Sequence, residues 1–257
     1  MRWCFKGRGR TTSLGGGALC SLPLALALTV GALGCGGGAE SGERTADATP
    51  SASPESIIRD SAGATAGVRL VFIGTSLTSG FGLDPDSAYP AAIQRLADSA
   101  GYQVTVAAAG LSGETSAGTL RRVDWVLRQK ADVVVIETGA NDGLRGLDPD
   151  TTQANIVGII RKVRAANPEV RVLLAQMEAP PNLGPRYTRG FRDVFMTVAR
   201  KEQVPLIPFF LEGVAGDPAL NQGDGTHPNA EGARRAALNM WRVLSPLLRE
   251  TPGVLKQ

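Results

Sequence analysis

The run VRLVFIG (residues 68–74) is almost entirely apolar and ends in glycine. Similar runs follow along the chain: QVTVAA (103–108), DVVVIETG (132–139), VRVLLAQ (170–176) and VPLIPF (204–209). Runs without a polar alternation are typical of strands buried on both faces, as in a parallel sheet covered by helices. These five segments therefore predict the strands of a parallel sheet.

Between the runs, apolar residues recur three or four positions apart, which is the spacing of a helix face. Strand and helix alternate five times, and this predicts an α/β fold with a doubly wound sheet between helical layers. The predicted helix faces contain Tyr89, Ile93, Leu96, Ala97 and Ala100; Leu120, Val123 and Leu127; Ile156, Ile159, Ile160 and Val163; Phe191, Val194, Phe195 and Val198; and Ala233, Ala237, Met240, Leu244 and Leu247.

The N-terminal segment has the pattern of a secretory signal. Four basic residues lie in the first ten positions and residues 11–34 carry no charge, as in the basic and apolar regions of a signal peptide. The segment ends in ALGC (32–35), which resembles the lipobox of bacterial lipoproteins. We predict a lipoprotein-type signal peptide over 1–34 and lipidation at Cys35. A plain cleaved signal and an uncleaved anchor helix are the alternatives.

Residues 35–67 are mostly small and polar, which predicts a flexible tether ahead of a single domain at 68–257. A lipidated Cys35 would hold that domain at a membrane of the cell envelope, facing the periplasm or the exterior. No cysteine follows Cys35, so export would bring no disulfide framework.

The charge of the chain gives no reason to expect a nucleic-acid partner. The net charge is +3, but four of the 27 basic residues belong to the predicted signal peptide. The other 23 are balanced by 24 acidic residues, and no basic patch is visible along the sequence.

In open α/β sheets, functional residues lie beyond the carboxyl ends of the strands. The loop after the first run reads GTSLTSG (74–80) and places Ser76 in a glycine-flanked turn. Ser76 is a candidate nucleophile, although serines in turns commonly cap helices. The segment is not a G-x-S-x-G elbow, because Thr78 occupies the last glycine position, and it lacks the G-K-[ST] ending of a phosphate loop.

Two other loops contain groups that could hold an anion. AAGLSGETSAG (108–118) places Gly113 just before a helix capped by Thr115 or Ser116, where backbone N–H groups are free. GAND (139–142) places the side-chain amide of Asn141 after the central run. For both residues, a role in turn geometry alone is the alternative.

DGTHPN (224–229) contains His227, the only histidine in the sequence. An imidazole that acts as a general base needs a partner on Nδ1 to fix its tautomer. Asp224 lies three residues earlier in a glycine-containing turn, from which its carboxylate can fold back onto the ring. The two residues are therefore a candidate base and its orienting acid, although a lone histidine is more commonly structural or exposed.

GTSLTSG, LSGETS, GAND and DGTHPN follow the order of the four sequence blocks of the SGNH (GDSL-type) hydrolase superfamily, which the chain resembles from about residue 69 to 230. The resemblance implies a three-layer α/β/α sandwich with a five-stranded, flavodoxin-like parallel sheet. Three further segments are similar to the bacterial thioesterase/lysophospholipase/arylesterase branch: NDGLRG (141–146), PPNLGPRY (180–187) and VPLIPFF (204–210).

The resemblance also assigns the site residues. It implies a catalytic triad of Ser76, His227 and Asp224, and an oxyanion hole formed by the N–H groups of Ser76 and Gly113 and the amide of Asn141. One position departs from the family pattern, because Thr75 stands where an aspartate is usual. That aspartate belongs to neither the triad nor the oxyanion hole, so we expect activity to survive and the Thr75 hydroxyl to cap the turn.

The implied activity is hydrolysis of carboxylic esters or thioesters through an acyl-enzyme, without a cofactor. Small acyl esters, acyl thioesters and lysolipids are the expected substrates, with loops 141–145 and 180–187 lining an acyl groove. No metal site is predicted, because the sequence shows no cluster of potential ligands. Deacetylation of a glycan is the alternative within enzymes, and a non-catalytic ligand-binding lipoprotein is the alternative outside them.

Overall fold

The computed structural model describes residues 58–60 and 67–255, within which strands and helices alternate. The strands are β1 (Ile58–Asp60), β2 (Val68–Gly74), β3 (Val104–Gly110), β4 (Val133–Ile136), β5 (Arg171–Ala175) and β6 (Leu206–Ile207). The α-helices are α1 (Ser76–Ser79), α2 (Tyr89–Ser99), α3 (Ser116–Val126), α4 (Ala140–Leu144), α5 (Pro149–Ala166), α6 (Pro185–Lys201) and α7 (Ala230–Arg249).

The strands form one sheet in the order β1-β3-β2-β4-β5-β6, and β2 to β6 are all parallel. The prediction of a five-stranded parallel sheet is therefore confirmed, and its strand order is that of the flavodoxin-like doubly wound folds. β6 is much shorter than the predicted run, at two residues. Pro205 and Pro208 flank it, and proline cannot donate a hydrogen bond to a neighbouring strand.

A sixth strand, β1, was not predicted. Ile58–Asp60 pair antiparallel with β3, with Ile58 opposite Ala109, and so cover the open edge of the parallel sheet. The prediction of a tether is wrong for these three residues. The rest of 35–67 lies outside the described residues, as do the predicted signal peptide and Cys35.

The five predicted helices are all present and cover the sheet. α2 packs against α7, and α5 packs against both α3 and α6. The middle of the core is formed by strands without polar interruption, since Val133–Ile136 are completely buried, as are Phe72 and Ile73 in β2. No helix in the described part of the chain is both long and apolar enough to cross a bilayer.

Two short helices, α1 and α4, occupy segments that the sequence analysis treated as turns. α1 follows β2 and α4 follows β4. In the sheet, β2 lies between β3 and β4. The connection from β2 therefore leads to its neighbour β3 on one side, whereas the connection from β4 leads to β5 on the other side. The loops after β2, β3 and β4 therefore meet at the topological switch point, where ligands bind in open α/β sheets.

Candidate active site

Ser76 is the first residue of α1 and lies two residues after Gly74, the last residue of β2. The turn that exposes it is tightly packed. A Cβ atom at Gly74 would lie 1.9 Å from Thr78 Oγ1, and one at Gly110 would lie 2.2 Å from the backbone nitrogen of Ser79. Glycine at these two positions allows the end of β2 and the end of β3 to approach the short helix.

Ser76, His227 and Asp224 form a continuous chain of contacts. Ser76 Oγ lies 3.0 Å from His227 Nε2, and His227 Nδ1 lies 2.6 Å from Asp224 Oδ2. The other carboxylate oxygen of Asp224 accepts hydrogen bonds from the backbone N–H groups of Thr226 (2.9 Å) and His227 (3.0 Å). The side chains that the sequence placed at opposite ends of the domain are thus in hydrogen-bonding contact.

The hydrogen bonds around Asp224 also determine its charge. The backbone N–H of His227 contributes most, followed by the imidazole, and together with Thr226 they lower the pKa of Asp224 from 3.8 to about 2. An ionised carboxylate can only accept hydrogen bonds. The hydrogen of the neutral imidazole therefore lies on Nδ1, and Nε2 is free to accept a proton from Ser76.

Gln222 connects the histidine loop to the loop after α1. Its N–H donates to the His227 carbonyl (2.7 Å), and its side chain donates to the carbonyls of Phe81 (2.7 Å) and Pro228 (3.0 Å). The Phe81 ring packs beside the imidazole with centroids 4.7 Å apart. Gln222 could not be identified from the sequence, because neither its residue type nor its position indicates these contacts.

The candidate oxyanion groups lie around the same serine. Gly113 has a φ of +76°, in the left-handed region that favours glycine. The Asn141 amide donates one hydrogen bond to the Glu114 carbonyl at 3.0 Å, which leaves its second hydrogen available. Ser76 begins α1, so its N–H belongs to the first turn, where helical N–H groups lack an intrahelical acceptor.

A cavity of about 820 Å³ opens at these groups. Ser76, Gly113, Asn141 and His227 all line it, and most of its remaining wall is apolar. The predicted lining loops 141–145 and 180–187 both contribute to it. The apolar wall is formed by Leu77, Phe81, Ala140, Leu144, Met177, Ala179, Pro180, Pro181, Phe209, Leu211 and Ala215.

Glu137, at the end of the central strand, is completely buried beneath the nucleophile turn. It accepts hydrogen bonds from the Thr75 N–H (2.8 Å), the Thr75 hydroxyl (2.9 Å) and the Thr78 hydroxyl (2.8 Å). Burial raises the pKa of Glu137 from 4.5 to about 7, although the hydrogen bonds oppose this. The carboxyl group thus holds both the residue before Ser76 and the third residue of α1.

This arrangement corrects one expectation. The Thr75 hydroxyl does not cap α1, because it points into the core and donates to Glu137 instead. Glu137 was not among the residues predicted to serve the site. A signal was present, since a glutamate within the run DVVVIETG is unusual and glutamate is almost never fully buried unless paired.

The described residues contain no group of three or more His, Cys, Asp or Glu side chains that could hold a metal ion. The polar groups around Ser76 are a hydroxyl, an imidazole with its partner carboxylate, backbone N–H groups and an amide. This set can transfer a proton and stabilise an oxyanion, which are the requirements of acyl transfer by a serine.

The sequence pattern of the GDSL-like Lipase/Acylhydrolase family matches residues 72–235. The chain belongs to this family. As a GDSL-like hydrolase it is 44% identical over 181 residues to Esterase TesA of Pseudomonas aeruginosa, an alignment that covers 70% of the chain and 89% of the relative. It is 37% identical over 180 residues to Thioesterase 1/protease 1/lysophospholipase L1 of Escherichia coli strain K12, covering 70% of the chain and 84% of the relative.

A solved structure agrees with these matches. The crystal structure of the psychrotrophic esterase EstA from Pseudoalteromonas sp., inhibited by monoethylphosphonate, superposes with a TM-score of 0.67. The two sequences are 32% identical, and the superposition covers 71% of this chain and 99% of EstA. The GDSL-like hydrolase is a carboxylic ester hydrolase of the SGNH type, and the predicted resemblance, fold class and ester or thioester hydrolase activity are confirmed.

Proposed function

We propose that this enzyme cleaves acyl esters and thioesters through an acyl-enzyme on Ser76, with His227 as general base and then general acid. The observation that carries this assignment is the contact between Ser76 Oγ and His227 Nε2 at 3.0 Å, across 151 positions of sequence. Asp224 holds the imidazole in the required tautomer and stabilises the imidazolium.

Each half of the reaction uses the same groups. Ser76 Oγ attacks the carbonyl carbon while Nε2 of His227 takes its proton. The tetrahedral intermediate then expels the alcohol or thiol, which leaves with the proton from His227. Water then attacks the acyl-enzyme while His227 takes its proton. The second tetrahedral intermediate releases the acid as His227 returns that proton to Ser76 Oγ.

The negative charge on the intermediate is placed among three donors: the N–H groups of Ser76 and Gly113 and the free amide hydrogen of Asn141. All three residues line the cavity. Removing one such donor typically lowers turnover by about 10²–10³, so Asn141→Ala should retain a weak but measurable activity. A turnover close to that of the unmodified enzyme would exclude Asn141 from this role.

The substrates proposed are small acyl esters, acyl thioesters and lysolipids. The largely apolar wall of the 820 Å³ cavity suits a hydrocarbon chain, since the transfer of apolar surface out of water is favourable. The names of the relatives, which include an esterase and a thioesterase/lysophospholipase, support the same range. Assays of p-nitrophenyl esters, an acyl thioester and a lysophospholipid, run together, would rank the classes.

We further propose that the enzyme is exported and held at a membrane of the cell envelope through a lipid on Cys35. The support is the ALGC segment after an uncharged stretch. Mass spectrometry of the mature N-terminus tests this directly, because lipidation predicts a diacylglycerol-modified cysteine as the first residue. A mature protein that begins elsewhere, or keeps the leader, would exclude the anchor.

A fluorophosphonate probe tests the nucleophile. We expect covalent labelling of the folded enzyme at Ser76, consistent with the phosphonate inhibition of EstA. Ser76→Ala should lose both labelling and hydrolysis, whereas Ser99→Ala, at the exposed end of α2, should keep both. Labelling that persists in Ser76→Ala would contradict the assignment.

A further inference from the structure

Arg122, on α3, connects the two strands whose ends carry the nucleophile and the Gly113 loop. Its Nη2 donates to the carbonyls of Gly74 (3.0 Å) and Ala109 (2.9 Å), at the ends of β2 and β3. Its Nε donates to the Glu114 carboxylate at 2.8 Å. The pair is largely buried, with side-chain exposures of 14% for Arg122 and 5% for Glu114.

Two of the residues that accept hydrogen bonds from Arg122 lead directly to groups at the site. Gly74 lies two residues before Ser76, and Glu114 directly follows Gly113. The backbone carbonyl of Glu114 accepts the hydrogen bond from the Asn141 amide at 3.0 Å. One guanidinium is therefore linked to the nucleophile and, through Glu114, to both of the other proposed oxyanion donors.

The Glu114 side chain is itself held firmly. It accepts a hydrogen bond from the Thr119 hydroxyl at 3.0 Å, and its stem lies over Gly118, where a Cβ atom would come within 2.6 Å of Glu114 Cγ. A planar guanidinium presents several donors in a fixed geometry. The Arg122–Glu114 pair can therefore fix distances between strand ends in a way that a single hydrogen bond cannot.

We infer that Arg122 and Glu114 are positioning residues that set the distance between Ser76 and the oxyanion donors Gly113 and Asn141. The inference rests on the oxyanion roles proposed above. Stabilisation of an oxyanion depends on donors fixed before the charge develops, and a displacement of about 1 Å can cost on the order of 10² in rate. Neither residue takes part in proton transfer, so both act through the groups they hold.

The first test replaces Arg122 with methionine, which keeps an unbranched apolar stem and removes the donors. We expect kcat to fall by about 10- to 100-fold, with KM changed much less because the acyl groove is formed by other side chains. Arg121→Met is the matched control, since Arg121 is exposed on the same helix and should leave both constants unchanged.

A double-mutant cycle separates positioning from a general loss of structure. If Arg122 acts by way of Asn141, Arg122→Met should lower kcat much less in an Asn141→Ala background than in the unmodified enzyme. Two independent effects would multiply instead. An unchanged kcat in Arg122→Met would overturn the inference, and multiplying effects would overturn its claim for Asn141; both results would leave the oxyanion role of Asn141 intact.

A normal rate in Asn141→Ala would instead overturn the proposed oxyanion role, and the inference with it. Glu114→Gln gives a second route if Arg122→Met does not fold, because it keeps the volume of the side chain and its backbone carbonyl. We expect a smaller fall in kcat and the same non-additivity with Asn141→Ala. Near-UV circular dichroism of each variant checks that the comparison is made on folded protein.

Discussion

Two carboxylates serve the active site from opposite environments. Asp224 accepts hydrogen bonds from two backbone N–H groups and the imidazole of His227, and its side chain is 41% exposed. Glu137 accepts from one backbone N–H group and two hydroxyls and is completely buried. The pKa of Asp224 is lowered to about 2, whereas that of Glu137 is raised to about 7.

The difference shows that the number of hydrogen bonds does not decide the charge of these groups. Glu137 has at least as many donors as Asp224, and the donors lower the pKa in both cases. Burial at Glu137 outweighs them, because removing an ionised group from water costs more than the hydrogen bonds return. Asp224 is thus a stable negative charge beside His227, whereas Glu137 mainly fixes the backbone around Ser76.

Asp224→Asn should produce the largest effect, and the effect should be on catalysis. An amide would hold the imidazole in the wrong tautomer, and the corresponding change in a serine–histidine–aspartate triad lowers kcat by about 10⁴. The melting temperature should change little, because Asp224 lies at the surface. Asp217→Asn is the control, since the Asp217 carboxylate accepts only the nearby Ala219 N–H among the described hydrogen bonds.

A loss in kcat of less than about tenfold in Asp224→Asn would contradict the role of Asp224 as the charged partner of His227. A large fall in melting temperature with an equal fall in Asp217→Asn would contradict it as well. The loop would then depend on these carboxylates for its conformation, and Asp224 would not be distinguished by its contact with the imidazole.

Glu137→Gln should change stability rather than chemistry, and its effect should depend on pH. A raised pKa means that the folded state binds the proton more tightly than the unfolded state. The contribution of Glu137 to the free energy of unfolding is therefore fully present below pH 4.5, and it is lost as the pH rises to about 7. Each pKa unit corresponds to about 1.4 kcal/mol. Between pH 4.5 and 7, the free energy of unfolding of the unmodified protein should therefore fall by up to about 3 kcal/mol relative to that of Glu137→Gln.

Urea unfolding of both proteins at pH 5 and pH 8 measures this difference. Asp224→Asn provides the contrast. Because the pKa of Asp224 is lowered, its contribution to stability is constant above pH 3.8 and is lost only as the pH falls toward 2. Protonation of Asp224 itself should thus contribute no difference in stability between the two pH values. If the difference in unfolding free energy between Glu137→Gln and the unmodified protein is also independent of pH, burial does not raise the pKa of Glu137.

The sequence predicted what depends on local patterns and on order along the chain. Apolar runs identified the five parallel strands, helical spacing identified the five long helices, and four ordered segments brought Ser76 and His227 to the same edge of the sheet. The two prolines beside Leu206 and Ile207 also explain, from sequence alone, why β6 is short.

The supporting contacts could not be predicted in the same way. Thr75 reaches Glu137 across 62 positions, and Arg122 reaches Gly74 across 48. Such pairs have no fixed spacing, because they depend on which strands are neighbours in the folded sheet. A single sequence therefore gives the residues that carry the chemistry more readily than the residues that hold them in place.

Thr75→Val should have the smallest effect, because it removes only the hydroxyl donor that Thr75 contributes to Glu137. Valine keeps the shape and the backbone N–H of Thr75 but removes the hydroxyl, which is the donor to Glu137 Oε1. Loss of this bond should lower the free energy of unfolding by about 1 kcal/mol and raise the pKa of Glu137 further, since the hydroxyl lowers it. Thr75→Ser keeps the donor and should resemble the unmodified protein.

The kcat of Thr75→Val tests whether Glu137 supports catalysis less directly than Asp224 does. The Thr75 N–H still donates to Glu137 at 2.8 Å, so the backbone before Ser76 should remain in place and kcat should fall by less than about tenfold. A fall as large as that expected for Asp224→Asn would mean that the buried carboxyl group needs every donor to keep Ser76 in position. Glu137 would then control catalysis as directly as Asp224, and the distinction between a charge at the imidazole and a support beneath the serine would be lost.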